Sequence, residues 1–80
     1  MNLEIITPAE KLYQGEVNLV RVPGTKGPFT ILRNHAPIIS TLEKGTVKIV
    51  DEQNETSYIE VLGGIVEVNR NKIIVLADIE

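Results

Sequence analysis

The chain has 80 residues, with an apolar fraction of 42%, a charged fraction of 24% and a formal net charge of −3. That is the make-up of one globular domain, large enough to bury about 60% of its unfolded surface. It has no cysteine, which excludes disulfides and thiolate metal sites; with two Tyr, one Phe, no Trp and a negative balance it has neither the stacking surface nor the charge of a nucleic-acid module.

No apolar run approaches the roughly 20 residues that a membrane helix needs. Residues 1–11, "MNLEIITPAEK", carry no basic n-region, no long apolar core and no Arg- and Ser-rich bias. The chain is therefore expected to stay where it is made and not to insert into a membrane. Its charge is uneven: residues 1–48 hold six Lys/Arg against four Asp/Glu, and residues 49–80 hold two against seven. Such a split fits two surfaces turned to different partners, or scattered solvated charges.

In chain order, the first strand ends at Thr7-Pro8-Ala9-Glu10, and Pro23-Gly24-Thr25-Lys26-Gly27-Pro28 forms a dense loop. Residues 27–40, "GPFTILRNHAPIIS", contain the only Phe and the only His, and Asn34 there suits a left-handed conformation. Lys44-Gly45 is a tight turn. In "TVKIVD" Val47 and Ile49 share one face, and Asp51 to Glu55 then make a polar hairpin connection to "SYIEV". Gly63-Gly64 reads as a strand kink, bulge or close approach. Asn69-Arg70-Asn71 closes a hairpin between "IVEV" and "KIIVLAD", the last being apolar in both phases and so central in a sandwich or covered on both sides. No amphipathic helical window survives between these breakers. The spacing predicts a single all-β domain over 1–80, an antiparallel β-sandwich or flattened barrel of short strands.

His35 is the first candidate for catalysis, because imidazole titrates near neutrality. It would need Ser40 or Ser57 as nucleophile and an orienting acid such as Asp51 or Asp78, and no nucleophile elbow accompanies them. It reads instead as a turn or interface residue. One His without Cys, and no Asp-rich loop, give no metal site. Gly63-Gly64 lacks the strand–turn–helix setting of a phosphate loop. The chain is expected to be noncatalytic, without cofactor or metal, and to work by binding through loops on a rigid sandwich.

The order "LEIITP", "LYQGEV", "VRVPGTKGPFTIL", "NHAPIIST", "LEKGTVKI", "LGGIVEV", "NKIIVLAD" resembles the N-terminal domain of the epsilon subunit of bacterial F-type ATP synthases, over Leu3 to Asp78. The resemblance implies a ten-stranded antiparallel β-sandwich at the foot of the central rotor stalk. It also implies a noncatalytic role in coupling proton or sodium flow to ATP synthesis, with one side on the gamma subunit and one end on the c-ring loops. It carries Thr7, His35, Ile38 and Ser40 to the gamma-facing side, and Lys26, Pro28, Phe29 and Arg33 to the c-ring-facing loop. The implied location is peripheral, on the cytoplasmic face of the bacterial inner membrane. Where the family usually reads Gly-Glu-Phe-Gly-Ile-Leu-Pro, this chain has Pro28 for the acid, Thr30 for the second glycine and Arg33 for the proline, so the acidic contact to the c-ring is expected to be missing. The family normally continues into a two-helix domain that inhibits hydrolysis and in some members binds ATP. Ending at Glu80, the chain is expected to lack that element and to bind no nucleotide. The alternative is a biotinyl- or lipoyl-carrier domain, which needs a modifiable Lys at a hairpin tip beside Met or Ala; Lys26 and Lys44 lack that setting.

Overall fold

A computed structural model describes residues 1–79. They form eight strands: β1 (Asn2–Ile6), β2 (Lys11–Val22), β3 (Phe29–Leu32), β4 (Ile38–Leu42), β5 (Gly45–Asp51), β6 (Thr56–Val61), β7 (Gly63–Asn69) and β8 (Lys72–Asp78). The strands run β4-β7-β8-β1-β2-β5-β6 in space, with β3 also paired to β2. Two corrections to the expected fold follow. There are eight strands among the described residues, not about ten. The sheet is mixed, because β1 lies parallel to β8, from Asn2 opposite Lys72 to Ile6 opposite Leu76.

One long strand joins the two layers. The first part of β2 pairs with β1, and its second part pairs with β3 and β5. A register irregularity between Val17 and Leu19 lies where it passes from one to the other, as expected of a bulge that bends a strand. The opposite corner is closed by the loop after β2. Gly24 bridges Leu42, the Thr25 N–H donates to the Thr41 carbonyl at 3.0 Å, and the Glu43 N–H donates to the Pro23 carbonyl at 2.8 Å.

Alternation fills the space between the layers. Leu3 and Ile5 of β1, Val20 and Val22 of β2, Ile31 of β3, Val47 and Ile49 of β5, Val66 of β7, and Ile73 and Val75 of β8 are fully buried. Burying each such side chain stabilises by about 1.5–3 kcal/mol. β8 is central in its layer, between β7 and β1, as its two-phase apolar pattern implies.

The turns match their residues. Arg70 and Asn71 have φ of 49° and 61°, the two positive values that a two-residue type I′ hairpin loop requires. Asn34 and Asn54 are also left-handed, at 66° and 63°. Asp51 Oδ1 accepts from the N–H groups of Gln53 and Glu55, each at 2.9 Å, and holds the β5–β6 connection. The register runs unbroken from Gly63 opposite Asp78 to Asn69 opposite Lys72, so the glycine pair makes no bulge. It permits a close approach instead.

Candidate interaction surface

The loop after β2 and the segment leading into β4 form one groove. One wall is Thr25 to Phe29, after β2; the other runs from His35 through Ile38 to Thr41, along β4. The walls are fastened together: beyond the Thr25–Thr41 backbone bond, the two threonine hydroxyls lie 2.7 Å apart. A side chain on Gly24 would meet the Gly27 carbonyl and the Phe29 ring, so glycine lets this loop fold onto itself. The Phe29 and His35 rings stand 6.4 Å apart between centroids, tilted by 35°. His35 Nδ1–H donates to the Ala36 carbonyl at 2.7 Å, which fixes the ring's orientation.

The groove gathers most of the residues that the sequence singles out. His35, Ile38 and Ser40 line it together with Lys26, Pro28 and Phe29. The two sets, assigned above to different partners, are thus neighbours across one depression. Arg33 is exposed in the turn between β3 and His35 and is not part of the lining. Thr7 is elsewhere. It is only 6% exposed, its hydroxyl donates to the Glu10 carbonyl at 3.0 Å, and the same oxygen accepts the Glu10 N–H. Its hydroxyl thus closes the turn after β1, and the residue borders the depression beside Ile65 and Leu76 rather than the groove.

A second surface adjoins the groove and was not assigned from the sequence. On the solvent side of the β4-β7-β8-β1 layer, Ile65 lies opposite Leu76, and Leu76 opposite Ile6. Ile74 is in the neighbouring row, opposite Glu67, which in turn faces Ile39. Ile39, Leu76 and Ile65 are 71%, 53% and 44% exposed. Ile39 also lines the groove, and Glu67 stands between it and Ile74 on this face. The signal was present in "KIIVLAD", whose second apolar phase is this patch. Exposed apolar side chains grouped on one sheet face offer a place where a partner can dock.

Among the described residues no three His, Asp or Glu side chains are grouped so as to hold a metal ion. What the geometry offers is a rigid, two-walled groove beside an apolar sheet face, both suited to non-covalent docking.

Comparison with known proteins gives the same direction. The family model for the beta-sandwich domain of the ATP synthase delta/epsilon chain matches residues 1–79. The ATP synthase epsilon chain of Maridesulfovibrio salexigens is 44% identical over 77 residues, which are 96% of this chain and 54% of that protein. That of Pelotomaculum thermopropionicum is 41% identical over 95% of this chain and 56% of its own length. The chain thus spans a little over half the length of these relatives. It covers 86% of the Chlorobaculum tepidum epsilon chain, at 36% identity. Among solved structures, a chain of the Euglena gracilis mitochondrial ATP synthase (OSCP/F1/c-ring assembly) superposes with a TM-score of 0.88 at 18% identity, over 94% of this chain and 48% of its own. A chain of the Tetrahymena thermophila central stalk/c-ring structure gives 0.81 at 17% identity, over 99% and 63%. These two show a shared fold. These matches lend no support to the carrier-domain alternative. Matched by the family model over 1–79 and by an epsilon chain at 44% identity, the chain belongs to the ATP synthase delta/epsilon family, as its β-sandwich domain.

Proposed function

We propose that this chain is a noncatalytic central-stalk subunit of an F-type ATP synthase, joining the gamma subunit to the c-ring and so coupling proton or sodium flow to ATP synthesis. The observation that carries the reading is the exposure of Ile39, Ile65 and Leu76 on one sheet face, with Ile39 also lining the groove, on a domain matched by the family model over its described length. In this reading the patch and the His35–Ser40 wall face gamma, and the Lys26–Phe29 wall meets the c-ring loops. The location follows: peripheral, on the cytoplasmic face of the bacterial inner membrane.

The mechanical demand suits the fold. A contact that transmits torque must not yield, and a sandwich closed at two corners by β2 and by the 23–25 loop is stiff across both layers. The test is co-purification of the chain with gamma, alone and with c-ring components. A stable complex is expected, and His35→Ala should weaken it by about 1–4 kcal/mol while leaving the melting temperature nearly unchanged. Absence of any association with gamma would overturn the reading.

A further inference from the structure

Asn34, in the turn after β3, and Asn71, in the β7–β8 hairpin loop, are 37 positions apart and hold each other directly. The Asn34 N–H donates to Asn71 Oδ1 at 2.6 Å, and Asn71 Nδ2 donates to Asn34 Oδ1 at 3.0 Å. Both residues are left-handed, with φ of 66° and 61°. The Asn71 carbonyl also accepts the Asn2 N–H at 2.9 Å, so the hairpin loop is itself tied to β1. The turn it grips ends in His35, whose N–H donates to the Leu32 carbonyl at 3.1 Å.

We propose that Asn71 is a positioning residue for the groove: its side chain sets the conformation of the 32–36 turn and thereby presents His35 to the partner. The proposal rests on the reading of this surface as the stalk contact. The hairpin does not require the Asn71 amide, because glycine suits a positive φ in a type I′ loop at least as well. The amide pair is exposed, where water satisfies the same groups, so its effect on global stability is small. Its effect is local. A non-glycine residue in the left-handed region, Asn34, holds the third position of the turn, and the two amide bonds select that conformation over others before a partner arrives. Preorganisation of this kind raises affinity by the fraction of molecules already in the competent state.

The experiment compares the wild-type chain, Asn71→Gly and Asn71→Asp. Each is titrated against purified gamma and followed by thermal melting and by amide exchange. Glycine keeps the hairpin and removes the grip; aspartate keeps an oxygen to accept the Asn34 N–H. For Asn71→Gly we expect affinity on the order of tenfold weaker, a melting temperature equal to or above wild type, and faster exchange at Asn34 and His35. Asn71→Asp should restore most of the affinity. Wild-type affinity in the glycine variant overturns the proposal, as does a loss of affinity that tracks a lower melting temperature and is not restored by aspartate. If the wild-type chain itself fails to bind gamma, the functional reading falls. The exchange measurement needs no partner, and unchanged protection at Asn34 and His35 would then overturn the positioning role on its own.

Discussion

Gly64 lies against Leu76 with no room for a side chain between them: a Cβ on Gly64 would overlap the Leu76 carbonyl oxygen. Its φ of 148° is one that residues with a side chain rarely adopt. The contact lets β7 and β8 close up at the edge of the apolar patch, since Gly64, Ile65 and Leu76 border the same depression.

Gly64→Ala should therefore destabilise the domain by more than about 2 kcal/mol, from both the overlap and the backbone strain. Gly63 is the internal control. A Cβ there would sit 3.4 Å from the Leu42 carbonyl, and its φ is ordinary, so Gly63→Ala should stay within about 1 kcal/mol. Urea melts of the two variants decide the point; equal midpoints would remove the backbone role of Gly64.

Leu76 and Val75 are chain neighbours on opposite faces, the first 53% exposed and the second fully buried. Leu76→Lys should leave stability within about 1 kcal/mol of wild type but lower gamma affinity by at least about 2 kcal/mol. Val75→Lys should prevent folding, because it buries an unpaired ammonium. A Leu76→Lys variant that binds gamma normally would exclude the patch from the contact.

The 24–34 segment contains Lys26 and Arg33 and no Asp or Glu, and neither basic residue is in an ion pair among the described residues. A partner loop that meets it should carry acidic or neutral groups, since like charges across an interface are unfavourable. Affinity for the c-ring should fall as ionic strength rises and the Debye length shrinks below about 10 Å, and Lys26→Glu with Arg33→Glu should weaken it further. Binding that is flat across salt would show that Pro28 and Phe29 make the contact through apolar surface alone.

Tyr13, packed against the core from β2, has its phenol pKa raised above the ordinary 10.0, first by burial and then by the negative charge of Asp51. A raised phenol pKa means that folding favours the protonated form. The corresponding stability is fully present below the unfolded value and is lost as pH rises through the folded one. Unfolding free energy should therefore decline as pH climbs above about 10, and Tyr13→Phe should flatten that decline. A variant with the same alkaline slope would assign the effect to other groups.

The local grammar of this chain is legible in its amino-acid sequence. Val47 and Ile49, or Ile73, Val75 and Ala77, alternate because a pleated strand turns successive side chains to opposite faces, and that period survives in any context. Asn34 and the Asn69-Arg70-Asn71 loop were equally readable, because tolerance of positive φ belongs to the residue itself. The family was legible too, from the order of its motifs.

What remained was decided by contacts between distant segments. The strand count and the parallel pairing of β1 with β8 depend on which edges meet in space, and alternation is blind to partner and direction. Apolar Ile74 and Leu76 could be read as a second face of "KIIVLAD", but only the packed domain shows that this chain leaves Leu76 uncovered. That the Thr7 hydroxyl turns back onto Glu10 is likewise a property of the folded turn. The groove itself joins Thr25 to Thr41, 16 residues on, and Asn71 reaches Asn34 from 37 residues away. Composition and spacing determined what each segment is; the closing of the sandwich determined which segments touch, and so where a partner finds a surface.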